Sequence, residues 1–154
     1  MADAEVIRQI YNLEVIGSTA TLDLVPRTAE EQASWMVAHS GVYPVIVADD
    51  GGEVVGFASL SPYRPRPGYA TAVEDSIYVA EPHRGRGVGR ALLGEAVLLA
   101  RTHGFHSVVA RVGAAQAASV SLHQACGFDL VGIEREIGRK FGRWVDVAIL
   151  QRLL

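Results

Sequence analysis

The chain begins with two segments whose hydrophobic spacing is helical. In residues 3–14, Val6, Ile10 and Leu13 recur at positions i, i+4 and i+7, so one face of a short helix is apolar. In residues 28–40, a threonine is followed three residues later by a glutamate, which is the capping-box pattern of a helix start. These segments predict two consecutive helices.

The next segments change to the pattern of β-strands. Residues 43–48 and 53–60 are rich in Val, Ile, Phe and Tyr, and they are separated by Asp-Asp-Gly-Gly at 49–52. This arrangement predicts a hairpin with a tight turn. Residues 61–68 contain three prolines, so we expect a loop there.

Strands and helices alternate in the second half of the chain. The pattern predicts a strand over 73–79, a long helix over 88–103, a buried strand over 107–112 and a helix over 115–126. The long helix carries a stripe of Leu and Ala with a second apolar row beside it. The centre of the chain is therefore a strand-loop-helix unit.

The chain ends on a predicted hairpin, with strands over 129–137 and 143–150 and a turn over 138–142. No repeat and no long Pro/Gly/Ser linker divides the sequence. The order of elements predicts a single α/β domain over residues 1–154.

Composition narrows the function. The chain has 154 residues, 49% of them hydrophobic and 20% charged, with a formal net charge of -3, which argues against binding nucleic acid by bulk charge. One cysteine, Cys126, excludes an internal disulfide and fits a reducing compartment. The first residues do not read as a signal peptide, and no apolar stretch approaches a membrane span. We expect a soluble cytoplasmic protein with no membrane partner.

The strongest signal is a glycine-rich loop between the strand over 73–79 and the long helix. Gly85, Gly87 and Gly89 allow the backbone to approach a ligand closely. The first N–H groups of the helix are unpaired, and with the helix dipole they form a seat for a phosphate. Arginines at 84, 86 and 90 add positive charge.

Two well-known phosphate-binding loops do not match this segment. A dinucleotide fingerprint would require glycine where Arg90 or Leu92 stands. A P-loop would require Gly-Lys followed by Ser or Thr, which is absent here.

The segment Arg84-x-x-Gly87-x-Gly89 resembles the R/Q-x-x-G-x-G/A motif of the GNAT acetyltransferases. The helix ending in Gly127-Phe128 is similar to a later helix of that family, and the segments over 62–79 and 140–147 resemble its phosphinothricin N-acetyltransferase branch. The resemblance covers nearly the whole chain. It implies an α+β fold with a mixed, mostly antiparallel sheet of about six strands flanked by helices.

The resemblance implies acetyl-coenzyme A as cosubstrate and no metal. The loop amides would hold the pyrophosphate, the preceding strand would pair with the pantetheine arm, and the sheet would splay near Val79, whose N–H would contact the thioester carbonyl. Gln116 stands where the branch usually has asparagine, which leaves that contact open. The residues expected to contact the coenzyme are Ile77, Tyr78, Val79, Arg84, Gly85, Arg86, Gly87, Val88, Gly89, Arg90, Gln116 and Ser119.

Acetylation of an amine needs a base, because an ammonium group has no lone pair. Strand alternation places Glu74, Ser76 and Tyr78 on one face, and the resemblance makes Glu74 the first candidate for the base. His123 is the second candidate, as acid or alternative base, because its ordinary pKa suits proton transfer and its helix face also carries Ser119. The sequence leaves open which of the two is the base.

The proline-rich loop supplies candidates for binding the acceptor. Arg66 can hold a carboxylate or phosphinate through two hydrogen bonds, with Arg64 and Tyr69 beside it. Thr21 and Trp144 are expected to line the acceptor pocket. We find no His, Cys or Asp cluster at metal-ligand spacing.

The sequence leaves several alternatives for the acceptor and for the role of the protein. The acceptor is expected to be a small amino-acid-like amine of the phosphinothricin or methionine sulfone/sulfoximine type. A protein N-terminus, a polyamine or an aminoglycoside are the alternatives, and a non-catalytic acyl-coenzyme A sensor is another. The resemblance implies a homodimer. It also leads us to expect a strand before the first helix, which the first residues do not show, so that edge strand is either missing or lies outside the sequence.

Overall fold

A computed structural model describes residues 3–154. The helices are α1 (Ala4–Gly17), α2 (Ala29–Ala38), α3 (Val88–Thr102) and α4 (Ala117–Ala125). The strands are β1 (Val45–Asp50), β2 (Glu53–Pro62), β3 (Ala72–Val79), β4 (Ser107–Gly113), β5 (Asp129–Lys140) and β6 (Arg143–Leu153). Short 3-10 turns cover Pro67–Tyr69 and Glu81–His83.

The strands form one six-stranded sheet in the order β1-β2-β3-β4-β6-β5. The pair β3–β4 is parallel and the other pairs are antiparallel, so the predicted fold class is confirmed. Within residues 3–154 no strand precedes α1, and β1 and β5 form the two edges of the sheet.

Helices cover both faces of the sheet. On one face, α3 packs against β1, β2 and β3, and α4 packs against β4, β5 and β6. The predicted stripe of α3 is confirmed by its buried residues Leu92, Leu93, Ala96, Val97 and Ala100. On the other face, α1 and α2 pack around Phe57 and Tyr78. The sheet therefore lies between two apolar cores.

The predicted buried face of α1 is partly wrong. The helix buries Ile7, Ile10, Tyr11 and Val15, whereas Leu13 is 64% exposed. The stripe through Ile7 is wider than the predicted one and holds an aromatic ring against Tyr78, so it has more apolar area to bury. Burial of Val15 also extends the helix to Gly17, three residues past the predicted end.

The start of α2 is as predicted, and the first hairpin forms where it was predicted, although β1 continues through Asp49 and Asp50 of the predicted turn. Thr28 accepts a hydrogen bond from the Glu31 N–H, and the Glu31 carboxylate accepts one from the Thr28 N–H, which completes the capping box. Gly51 and Gly52 both have positive φ and join β1 to β2 in a two-residue turn.

The predicted turn of the last hairpin is too long. Lys140 pairs with Arg143, and Phe141 and Gly142, both at positive φ, make the two-residue turn. Gly138 lies within β5, where a Cβ atom would come within 2.6 Å of the Leu22 side chain. This glycine therefore admits a close neighbour and does not form a turn.

Smaller differences concern element ends. The strand β1 begins at Val45, after the proline at 44, and not at residue 43. The predicted loop over 61–68 is shorter, because β2 continues through Pro62 against Val73. The helix α4 begins at Ala117, since Gln116 serves as its N-cap.

Candidate active site

A gap between β3 and β4 forms a deep cavity. Their parallel pairing stops at Asp75 and Ala110, although β3 continues to Val79 and β4 to Gly113. A cavity of about 420 Å³ lies in this gap. It is the splay that the resemblance led us to expect, and its apex is at Asp75.

The backbone of β3 offers donors to this gap. The Ala80 N–H donates to the Val55 carbonyl of β2 at 2.9 Å. Because successive N–H groups of a strand point to opposite sides, the N–H groups of Val79 and Ile77 point away from β2 and toward β4. These donors therefore face the part of the gap where β4 does not pair with β3.

The glycine-rich loop forms one end of the cavity. Gly87 has a φ of +87°, a left-handed conformation that side chains with a Cβ rarely adopt, and α3 begins at the next residue. The first helical hydrogen bond runs from the Ala91 N–H to the Gly87 carbonyl at 3.0 Å. The N–H groups of the first turn precede this bond and are unpaired within the helix. They form an anion seat beside the cavity.

The cavity collects most of the residues predicted to contact the coenzyme. Those that line it are Ile77, Tyr78, Val79, Arg84, Gly85, Gly87, Gly89, Arg90, Gln116 and Ser119. Arg86 and Val88 do not line it, and the Arg86 guanidinium lies 3.6 Å from the Asp50 carboxylate. The Gln116 side chain donates to the Thr19 hydroxyl at 3.3 Å.

Arg84 connects the loop to two other elements. Its Nε donates to the Val79 carbonyl at 2.9 Å, and its guanidinium forms an ion pair with the Glu14 carboxylate of α1. Glu14 also accepts a hydrogen bond from the Ser18 hydroxyl at 2.6 Å, and it lines the cavity. An acidic side chain at this position was not predicted.

Glu74 lies at the apex of the gap, one residue before the end of the β3–β4 pairing. It is half-buried between Ser61 of β2 and Val109 of β4, on the sheet face that packs against α1 and α2. Burial raises the pKa of its carboxyl group above the ordinary value; the charge of Arg111 opposes this increase, and that of Asp75 adds to it. Glu74 does not itself line the cavity, but its strand neighbours Asp75 and Ser76 do.

Arg111 is a second charged group at this face that the sequence analysis missed. It lies on β4, lines the cavity and donates to the Glu134 carboxylate of β5 at 2.8 Å. Its charge lowers the pKa of Glu74. It is therefore a cation in the cavity wall that acts on the candidate base.

His123 lies on the opposite face of the sheet, in the wall of the same cavity. Its Nε2 is 2.9 Å from the Asp75 carboxylate, and its Nδ1 is 2.7 Å from the Ser119 carbonyl. Burial lowers the pKa of His123, but the hydrogen bond and charge of Asp75 outweigh it, and the pKa rises above its ordinary 6.5. Asp75 was not among the predicted residues.

The predicted acceptor-binding residues lie outside this cavity. Arg66 and Tyr69 are exposed in the loop before β3, and the Arg64 guanidinium lies 5.0 Å above the Tyr63 ring. The buried Thr21 hydroxyl lies 2.9 Å from the Tyr11 hydroxyl. The exposed Trp144 ring packs under the Arg139 guanidinium at 4.8 Å.

Asp75 could have been found from its position in the strand. It is a charged residue that alternation places on the same face as Val73 and Ile77, the face that α3 covers. A carboxylate on a buried face requires a partner, so a search for one on the next helices would have led to His123. Arg111 is likewise a charged residue in a strand that is otherwise largely apolar, and this pattern could have drawn attention to it.

These features together define a class of protein. The parallel strands separate beside an anion seat, and titratable side chains occupy the apex of the gap on both faces of the sheet. This arrangement suits an enzyme that transfers a group from a long phosphate-bearing cosubstrate.

Comparison with known proteins identifies the family. Residues 7–128 match the family model described as the Acetyltransferase (GNAT) family. The L-methionine sulfoximine/L-methionine sulfone acetyltransferase of Pseudomonas paraeruginosa is 39% identical over 153 residues, which cover 98% of this chain and 89% of the relative.

Two solved structures are similar over nearly the whole chain. The ribosomal-protein-alanine N-acetyltransferase of Brucella melitensis has a TM-score of 0.97 at 38% identity, covering 99% of this chain and 95% of the other. The phosphinothricin acetyltransferase of Sinorhizobium meliloti, in complex with AcCoA, has a TM-score of 0.95 at 40% identity, covering 99% and 84%.

The chain belongs to the GNAT family of acetyltransferases, and it is an N-acetyltransferase that uses acetyl-coenzyme A. Among residues 3–154, no three His, Cys, Asp or Glu side chains are grouped so that they could hold a metal ion. In the same part of the chain, no helix combines the length and the hydropathy that crossing a membrane requires.

Proposed function

We propose that this enzyme transfers the acetyl group of acetyl-coenzyme A to the primary amine of a small amino-acid-like molecule of the phosphinothricin or methionine sulfone/sulfoximine type. The observation that carries the proposal is the presence of two titratable side chains at the apex of the β3–β4 gap. Glu74 lies on one face of the sheet and His123 on the other. The names of the similar proteins from Pseudomonas and Sinorhizobium support the acceptor class.

The coenzyme would lie along the cavity. Its pyrophosphate would accept hydrogen bonds from the N–H groups at the start of α3, with Arg90 as a nearby cation. The pantetheine arm would replace β4 as the partner of β3 where the two strands separate. The Val79 N–H, which points into the gap, would stabilise the charge that develops on the thioester carbonyl oxygen.

Glu74 would act as the base. The acceptor enters as an ammonium ion, and the carboxylate removes a proton directly or through water so that the amine can attack the acetyl carbon. The partly buried site raises the pKa of Glu74, which increases its strength as a base while Arg111 limits the increase. The bond between the acetyl carbon and sulfur then breaks, and His123, in the wall of the same cavity, would stabilise the departing sulfur.

Cationic side chains near Glu74 suit an acceptor that carries an anionic group. Arg64 lies close enough to lower the pKa of Glu74, and Arg66 and Tyr69 follow in the same loop. Arg111 is a further cation at the cavity wall. A carboxylate or phosphinate on the acceptor would pair with this group, whereas a polyamine or an aminoglycoside would be repelled.

A panel of acceptors tests the substrate class. Thiol release from acetyl-coenzyme A is followed with phosphinothricin, methionine sulfone, methionine sulfoximine, spermidine, an aminoglycoside and a peptide with an N-terminal alanine. We expect turnover with the amino-acid analogues. Turnover confined to the peptide would instead favour a protein N-terminus, the acceptor that the name of the Brucella enzyme indicates. Coenzyme binding without any turnover would favour an acyl-coenzyme A sensor.

We also propose that the enzyme is a homodimer of one acetyltransferase domain over residues 1–154, located in the cytoplasm. The single cysteine supports a reducing compartment. The dimer is supported by five exposed apolar side chains of the last hairpin, which we call the hairpin patch: Val131, Ile133, Ile137, Phe141 and Trp144. The edge strand β5 adds unpaired backbone groups to this surface.

A charge placed in the hairpin patch tests the dimer. Ile133 is 52% exposed, and Ile133→Glu would place a carboxylate in the apolar interface, so we expect the variant to elute as a monomer while its circular dichroism spectrum is unchanged. The matched control is Leu98→Glu, because Leu98 is 55% exposed on α3, far along the sheet from β5. A wild-type protein with the 16.5 kDa mass of one chain in light scattering would contradict the dimer.

A further inference from the structure

The hydrogen bonds of His123 determine where its protons are. A carbonyl oxygen only accepts hydrogen bonds, so the Nδ1 atom that lies 2.7 Å from the Ser119 carbonyl must carry a proton. The Nε2 atom lies 2.9 Å from the Asp75 carboxylate, which also accepts when it is ionised. With Asp75 ionised, both ring nitrogens are protonated and His123 is an imidazolium ion.

Within the described residues, His123 is the hydrogen-bond partner of the buried Asp75 side chain. The Asp75 side chain is almost fully buried, and its second oxygen, Oδ1, has no hydrogen-bond partner within the described residues. An ionised carboxylate in such a site is costly unless a full positive charge lies beside it. His123 is also buried, with the Phe128 ring at 5.1 Å on another side, so water screens the pair less than it would screen an exposed pair.

We propose that Asp75 is a positioning residue for acetyl transfer: its carboxylate holds His123 as an imidazolium ion in the cavity wall, so that its positive charge stabilises the departing sulfur and Glu74 alone acts as the base. The inference rests on the proposed function. It resolves the choice between the two candidate bases, because an imidazole with both nitrogens protonated has no lone pair to accept a proton.

The protons balance in this scheme. The ammonium group of the acceptor loses two protons, the first to Glu74 and the second to water, and an N-acetyl group forms as the carbon–sulfur bond breaks. The sulfur keeps the electron pair of that bond and leaves as a thiolate, which the positive charge of His123 stabilises. Both N–H groups of His123 stay bonded to the Ser119 carbonyl and the Asp75 carboxylate, so the imidazolium keeps its charge. The thiolate then takes a proton from water, so one proton is released in each turnover.

The other charged groups near His123 do not replace Asp75. Arg90 of α3 and Arg111 of β4 line the same cavity, and Arg152 of β6 donates to the Cys126 carbonyl at the end of α4. These three groups are cations, which disfavour a charged imidazole, and Glu14, the carboxylate of α1 that lines the cavity, is ion-paired with Arg84. Asp75 is the group whose hydrogen bond and charge raise the pKa of His123.

Nitrogen NMR of the wild-type enzyme gives the first test and needs no acceptor. Assignment uses His123→Gln. At a pH about one unit above 6.5, the ordinary pKa of histidine, we expect His123 to show two protonated ring nitrogens. A neutral ring at that pH would overturn the proposal, since Asp75 would then not hold the charge. This result is independent of whether the proposed acceptors are turned over.

The pH profile of kcat gives the second test. Asp75→Asn retains a hydrogen-bond acceptor but removes the charge, so the pH at which kcat falls on the alkaline side should drop by about 1 to 3 units, while the KM for acetyl-coenzyme A stays within about twofold. The control is Asp129→Asn, at an exposed carboxylate on β5. An unchanged alkaline midpoint, with only a raised KM or lower stability, would show a purely structural role and overturn the proposal.

Discussion

Replacing Glu74 by glutamine is expected to lower kcat by about 100- to 10,000-fold, the usual contribution of a general base. Glutamine is almost the same size as glutamate and keeps a hydrogen-bonding side chain beside Ser61 and Val109, but it cannot accept a proton from the ammonium group. The binding of acetyl-coenzyme A should be unchanged, because Glu74 does not line the cavity. Steady-state kinetics and calorimetric titration with acetyl-coenzyme A measure the two effects separately.

The rate of the Glu74→Gln variant should recover as the pH rises, because free acceptor amine then becomes available without a base. Glu95→Gln serves as the matched control, since Glu95 is an exposed residue of α3 for which the same substitution leaves the apex of the gap intact. A Glu74→Gln variant with full kcat at neutral pH would contradict the assigned base.

Gly87→Val is expected to weaken acetyl-coenzyme A binding by about 10-fold or more. Gly87 has a φ of +87°, and a β-branched residue there costs about 1–3 kcal/mol or leaves that conformation. A loop that relaxes would turn its N–H groups away from the pyrophosphate, so binding would have to restore the strained backbone. Calorimetric titration with acetyl-coenzyme A gives the dissociation constant.

Gly94→Ala is the matched control for Gly87→Val. Gly94 is an exposed residue of the same helix with open space around the position of a Cβ atom. Alanine there should leave coenzyme affinity unchanged and stabilise α3 by about 1 kcal/mol. Equal affinities for wild type and Gly87→Val would show that the backbone of this loop does not hold the pyrophosphate.

Features that depend on neighbouring residues could be predicted from the sequence. The glycine-rich loop, the strand before it and the helix after it are consecutive, so their spacing alone indicates an anion seat next to β3. The capping box of α2 and the Gly51–Gly52 turn are local in the same sense, and the structure confirms both. The alternation of β3 placed Glu74 and Tyr78 on one face, which the packing of Tyr78 against α1 supports.

Contacts between distant residues could not be predicted in this way. Asp75 and His123 are 48 positions apart in the sequence, and Arg111 and Glu134 are 23 apart. No local sequence pattern therefore indicates either pair. Gly138 shows a related difficulty. Its role depends on the Leu22 side chain, which lies far away in the sequence, and a glycine in a hairpin otherwise indicates a turn.

The buried face of α1 shows a third kind of difficulty. Both Leu13 and the stripe through Ile7 and Tyr11 satisfy helical spacing, and the sequence does not show which row has a partner surface. The choice depends on Phe57 and Tyr78, whose rings form the surface that α1 covers. The position of α1 over the sheet therefore decides which of the two apolar rows is buried, a choice that helical periodicity leaves open.

The most direct test of the account is the identity of the product. The enzyme is incubated with acetyl-coenzyme A carrying a carbon-13 label in the acetyl carbonyl, together with methionine sulfone, and thiol release is compared with the product seen by NMR and mass spectrometry. The account predicts that each thiol released is matched by one labelled acetyl group on the α-amine, and that Glu74→Gln loses both signals together. Thiol release with free labelled acetate as the product would contradict it, because the cleft would then be hydrolysing the thioester and not transferring its acetyl group to an amine.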